Sequence, residues 1–143
     1  MIIKKADDTD LLLGLICELA HYEHLEPPDE EAKQRLREDL NRRYEAFIAF
    51  DDEKAIGYAM FYYTYSSFLA KPTFYLEDIF VLEDHRGKGA GKALFDRCVE
   101  EAKQKGCGRI DFVVLRWNEN ARRFYEKHGA KPMDEWILYR ISL

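Results

Sequence analysis

The stretch from Tyr75 to Ala93 constrains this chain more than any other. Tyr75-Leu76-Glu77-Asp78-Ile79-Phe80-Val81 reads as a strand, apolar apart from two adjacent carboxylates. A short turn leads into Arg86-Gly87-Lys88-Gly89-Ala90-Gly91-Lys92-Ala93, a cationic, glycine-rich segment that opens an amphipathic helix. A strand feeding a glycine turn and then a helix belongs to an α/β fold. Amides at a helix start, flanked by cations, make an anion site suited to phosphate. Two familiar phosphate loops fail on spacing. A Walker loop would need glycine at Arg86 and a hydroxyl at Ala93, and the dinucleotide fingerprint would need glycine at Lys92. The spacing present is Arg-x-x-Gly-x-Gly, at Arg86, Gly89 and Gly91.

The 143 residues suit a single domain, 1–143, of a size that buries roughly 70% of its unfolded surface. A net charge of -5 disfavours nucleic acid and is compatible with a cationic substrate. The apolar run Leu11 to Ile16 is too short for a membrane span, and its acidic flanks do not suit a signal peptide. Cys17, Cys98 and Cys107 are odd in number, spaced like core positions and outside any nucleophile motif, which suits a reducing cytoplasm. His21, Glu23 and His24 lack a third ligand at sensible spacing, so no metal is expected.

Residues 2–5 read as a first strand. Leu12, Leu15, Ile16, Leu19 and Ala20 share a helical face that starts after Asp7 to Asp10. A charged helix is expected over 29–42, then a hairpin of Ala46–Phe50 and Ala55–Tyr65 around Asp51-Asp52-Glu53-Lys54. Thr73–Val81 is the third major strand. Ala90 to Ala102 forms a helix that Gly106 closes, and Ile110–Leu115 forms a strand. Asn118 caps a helix that Gly129 ends, and Trp136–Ile141 is the expected last strand. Antiparallel strands first, then strands joined by helices, imply a mixed sheet.

Several side chains carry candidate chemistry. Adjacent positions on a regular strand point to opposite faces, so Glu77 and Asp78 are expected to diverge. Each is either ion-paired, with Arg109 or Arg116 available, or works as a general base or counter-ion for an amine. Glu23 either frays into solvent or aims a carboxylate from the helix end into a cleft. Tyr125 shares a face with Ala121, Phe124 and His128, which core packing alone explains. Tyr62, Tyr63, Tyr65 and Phe68 suit a cation cage, strand packing or a dimer interface equally.

Taken in order, the Arg86–Gly91 turn, Trp117-Asn118 and the Ala121-to-Tyr125 helix resemble the GNAT superfamily of N-acetyltransferases. Glu18-Leu19-Ala20-His21-Tyr22-Glu23, Tyr62-Tyr63-Thr64-Tyr65 and the Y-L-E-D block resemble its diamine acetyltransferases, the spermidine/spermine and thialysine enzymes. The resemblance runs from Ile3 to about Met133. It implies a mostly antiparallel mixed sheet flanked by helices, with a parallel pair splayed at an acetyl-CoA cleft. It also implies a cytoplasmic homodimer that acetylates a small amine, without metal, membrane or nucleic acid.

By that resemblance the backbone along Ile79, Phe80 and Val81 meets the acetyl group and its oxyanion. Gly87, Lys88, Gly89, Ala90, Gly91 and Lys92, with Arg86, take the pyrophosphate. Asn118 and Ala121 contact the pantetheine arm, and Tyr125 protonates the departing thiolate. Glu77 is the expected base, acting directly or through water. Tyr22, Glu23, Ser66, Phe68 and Asp78, with Glu77, line the amine end. Ser66 and Phe68 stand where spermidine/spermine enzymes carry an acid and a tryptophan, which moves the expectation toward thialysine-like or short diamine substrates. The competing expectations are acetylation of protein lysine or N-terminal amines, and a CoA-sensing module without catalysis.

Overall fold

The computed structural model describes residues 1–143. The chain runs β1 (Ile2–Lys5), α1 (Thr9–Tyr22), α2 (Glu30–Asp39), β2 (Glu45–Asp51), β3 (Lys54–Ser66), β4 (Lys71–Val81), a short 3-10 turn (Glu83–His85), α3 (Ala90–Gln104), β5 (Arg109–Asp111) and α4 (Glu119–Lys127). Local chemistry sets the helix starts. The Asp8 carboxylate accepts from the Asp10 amide at 2.9 Å, and Asp29 accepts from the Ala32 amide at 2.8 Å. The chain divides into two compact parts, Met1–Phe112 and Val113–Leu143.

The first part holds a five-stranded sheet in the order β1-β2-β3-β4-β5. All pairings are antiparallel except β4 with β5. Strand alternation sends even-numbered β3 residues to one face and odd-numbered ones to the other. On the first face Tyr58 packs with Leu12, Leu15, Ala46, Ile48 and Phe80, under α1. On the second, Phe61 stacks on Phe74 at 4.5 Å, and Arg97 of α3 lies 4.4 Å over the Phe47 ring. Leu94 and Cys98 of α3 are fully buried. All three cysteines are unpaired, and burial pushes the Cys98 thiol up to about 12.

Two features of β4 set the geometry at the open end of the sheet. Met60 lies across from Asp78 and Phe61 across from Leu76, so Glu77 is an extra residue in a β-bulge. Parallel pairing with β5 covers only Thr73, Phe74 and Tyr75, opposite Arg109, Ile110 and Asp111. From Leu76 onward β4 has no paired strand on its β5 side.

The strand expected over Ile110–Leu115 is therefore shorter, because its ladder ends where β4 bulges. The expected last strand, Trp136–Ile141, is absent. Its apolar, aromatic composition is right for a strand, but a strand exists only as part of a ladder, and this segment makes none. The second part contains α4, which the Asn118 side chain caps by accepting from the Ala121 amide at 3.2 Å. Gly129, at φ 96, ends it, as the sequence implies. Trp136 and Tyr139 are exposed. No helix is long and apolar enough to cross a membrane.

Candidate active site

Glu77 and Asp78 do not diverge as the regular alternation implies. The bulge turns both carboxylates toward the face that carries Tyr58 and Tyr62. The Tyr58 hydroxyl donates to Asp78 Oδ2 at 2.9 Å, and the Tyr62 hydroxyl donates to Glu77 Oε1 at 3.0 Å. Tyr62 is itself held by stacking on Tyr75, with ring centroids 5.2 Å apart. Arg109, one expected counter-ion, pairs with Asp111 at 3.2 Å instead. Within residues 1–112 neither carboxylate has a cationic partner.

The electrostatics follow from that arrangement. Burial raises the Asp78 carboxyl to about 6, opposed by the Tyr58 hydrogen bond and reinforced by Glu77 and Glu23. Burial also raises Glu23, at the C-terminal end of α1. Glu23 is half-buried and its charge is felt at Asp78, so its side chain is not frayed into solvent. Burial and Asp78 push the Tyr58 hydroxyl well above its ordinary value. Burial and Glu77 do the same for Tyr62. Both tyrosines stay protonated donors. Tyr58 is a site residue that sequence reasoning misses, although its four-residue spacing from Tyr62 on one strand is a signal of a shared face.

The glycine turn takes the form an anion site needs. Gly87 at φ 77 and Gly89 at φ 90 adopt a left-handed backbone that other residues resist. Gly89 caps α3 without any side chain, so the amides of the first turn are left for a ligand. Ala90 is buried beneath the turn, whereas Lys88 is exposed. Lys92 is ion-paired with Asp96. Arg86, although exposed, is tied down: its Nε donates to the Val81 carbonyl at 2.9 Å, and its guanidinium lies 4.6 Å over Tyr22 and 5.5 Å over Phe80. It braces the turn against β4. Tyr22 and Phe80 also meet at 6.1 Å, which ties the end of α1 to the same place.

Not every expected amine-end residue gathers there. The buried Ser66 hydroxyl accepts from the Leu69 amide at 3.1 Å and closes the β3–β4 hairpin. Phe68, at the tip, is 99% exposed. About 17 Å of strand separates Ser66 from Phe61, which pairs beside the bulge. Within one chain these two residues do not join the carboxylates. In the second part, Tyr125 is half-buried on α4, with its ring 5.5 Å from Phe124. Ala121 is half-buried one turn before it. No three His, Cys, Asp or Glu side chains are grouped to hold a metal ion.

The family model for the acetyltransferase (GNAT) family matches residues 14–130. The chain belongs to that family. It is an acyltransferase enzyme, and proteins of this family use acetyl-CoA as co-substrate. The chain is 32% identical to a thialysine N-epsilon-acetyltransferase of Caenorhabditis elegans over 140 residues, 95% of this chain and 87% of that one. It is 31% identical to the thialysine N-epsilon-acetyltransferase of Bos taurus, over 99% of this chain and 92% of that one. An L-ornithine N5-acetyltransferase of Arabidopsis thaliana is 44% identical over 92 residues, which span 64% of this chain and 40% of the plant enzyme. Among solved structures, a probable acetyltransferase superposes with a TM-score of 0.88 at 24% identity, covering 100% of this chain and 98% of that one. That likeness concerns the fold.

Proposed function

We propose that this acetyltransferase moves the acetyl group of acetyl-CoA to a primary amine of a small diamine, polyamine or thialysine-, ornithine- or lysine-like amino acid. The observation that carries the reading is the pair of carboxylates, Glu77 and Asp78. They lie on one face of the bulged strand, just past the end of its pairing with β5, and neither has a cationic partner within residues 1–112. Curated relatives named for thialysine and ornithine amines support the same substrate class.

A primary amine of pKa about 10 arrives as an ammonium, and it is attracted to a cluster of Glu23, Glu77 and Asp78. Glu77 takes one proton, directly or through a water, and so frees the nitrogen lone pair. The nitrogen then attacks the thioester carbonyl, and a backbone amide of the Phe80–Val81 segment receives the oxyanion. The carbonyl re-forms as the C–S bond breaks, and Tyr125 gives its proton to the thiolate. The second proton of the attacking nitrogen passes to the tyrosinate, directly or through water, which leaves the neutral amide and restores Tyr125. The amides of Gly87 to Lys92 hold the pyrophosphate, with Lys88 adding charge. Arg86 keeps that turn seated on β4. Asn118 and Ala121 take the pantetheine arm.

Thiol release from acetyl-CoA, measured against polyamines, diamines, thialysine, ornithine, lysine and lysine peptides, tests this. Small amines should react and peptides should not. Reaction with peptides alone overturns the substrate class, and CoA binding without any thiol release overturns the enzymatic reading of this site. On the best amine, Tyr125→Phe should lower turnover about 100-fold while CoA affinity holds. Unchanged turnover removes Tyr125 as the acid.

A further inference from the structure

Tyr58 is fully buried, and its ring is fixed by Leu12, Leu15, Ala46, Ile48 and Phe80. Phenylalanine would fill that space as well. The hydroxyl is a buried polar group, which costs stability unless it is bonded, and its bond is to Asp78 Oδ2 at 2.9 Å. Tyr58 lies across from Phe80, and Asp78 lies across from Met60, so the bond runs diagonally over one face of the sheet. It engages one carboxylate oxygen and leaves Oδ1 for a ligand. We propose that Tyr58 is a positioning residue, whose hydroxyl fixes Asp78 as the anchor for the substrate's ammonium group. The proposal rests on the amine-acetylating function and adds a residue that no motif in the sequence marks.

The groups that face Asp78 are Glu23 from the end of α1, Glu77 beside it on β4 and Tyr58 from β3. The Tyr62 hydroxyl is committed to Glu77, and the Arg86 guanidinium lies over Tyr22 and Phe80. Burial, Glu77 and Glu23 all disfavour a charged Asp78, and the Tyr58 hydrogen bond alone favours it. Without that bond Asp78 binds its proton more tightly, and the anchor is lost at a higher pH. An anchor acts on substrate capture, so the effect belongs mainly in KM.

The test is Tyr58→Phe, read in two ways. In kcat/KM for the amine, the acidic limb should move up by roughly one pH unit, with KM rising more than kcat falls. A merely structural tyrosine would lower the rate evenly across pH and leave the limb in place, which overturns the proposal. The second readout needs no activity: the Asp78 carboxyl carbon, followed by NMR in the free protein, should titrate roughly one unit higher in the variant. Coincident midpoints overturn the proposal even if the enzyme proves active on small amines. A moved midpoint without thiol release from any amine upholds the coupling and overturns the substrate reading. Should Tyr58→Phe fail to fold, the ring ζ-carbon of Tyr58 in the parent decides. It should shift with the ionisation of Asp78 between pH 4 and 8, and a flat trace overturns the bond.

Discussion

Asp78 is held where its charge costs the fold. Its carboxyl is raised from 3.8 to about 6, first by burial and then by Glu77 and Glu23, with Tyr58 offsetting part of the cost. The folded state therefore binds a proton that the unfolded chain has already released between those two values. Stability from this group is greatest below the unfolded value and falls as pH rises toward 6. Above 6 the penalty is present in full, about 2–3 kcal/mol. Asp78→Asn keeps an acceptor for Tyr58 and removes the charge. It should raise the unfolding free energy at pH 8 by that amount, and the gain should vanish near pH 4. The same variant should lose affinity for a cationic amine. Urea titrations at the two pH values check the sign, and a variant less stable than the parent at pH 8 would mean that a cation neutralises Asp78. Stability given up at one carboxylate for the sake of binding is what an active site leads one to expect.

At the scale of elements, the contact between β3 and β4 decides how β4 leads into the glycine turn. Gly57 sits across from Val81, and a Cβ there would meet the Phe80 carbonyl oxygen at 2.6 Å and the Val81 Cα at 3.2 Å. Both obstacles are backbone, so the strands would have to separate where β4 leads into the glycine turn. Gly57→Ala should destabilise the protein by about 1–3 kcal/mol and weaken CoA binding in a calorimetric titration. Gly14, inside α1, is the contrasting case, because a Cβ there meets nothing within 4 Å. Gly14→Ala should stabilise by about 0.5–1 kcal/mol and leave CoA binding alone. If Gly57→Ala binds CoA like the parent, the close approach of β3 does not set the position of the glycine turn. The bulge at Glu77 belongs to this scale as well. It adds one residue to β4, turns two adjacent carboxylates to one face and ends the pairing with β5.

For the molecule as a whole, the parts legible in the sequence are those that neighbours in the chain decide. The strand–turn–helix from Tyr75 onward, the Asn118 cap and the stop at Gly129 rest on local chemistry, and they fold accordingly. The shared face of Glu77 and Asp78 is not legible, because a register shift is decided by the partner strand. Trp136–Ile141 has the apolar, aromatic composition of a strand but no ladder, and composition alone does not supply one. Arg86 has a cation's composition, yet its stacking on Tyr22 depends on where α1 ends. Charge is legible at every scale, and it yields a prediction for the whole protein. The net charge is -5, and Glu23, Glu77 and Asp78 concentrate acid on one side of the sheet. A diamine carries two charges at neutral pH, whereas ornithine or thialysine carries a net one. Long-range attraction scales with that charge and is screened as the Debye length falls from about 30 Å at 0.01 M salt to about 8 Å at 0.15 M. At saturating acetyl-CoA, kcat/KM for the diamine should therefore fall severalfold over that range, and for the amino acid by less. Equal slopes would mean that the carboxylates act only at contact. A flat response for both would mean that the acidic balance has no part in substrate capture, and the selectivity for amines would then have to come from contact geometry at the bulge.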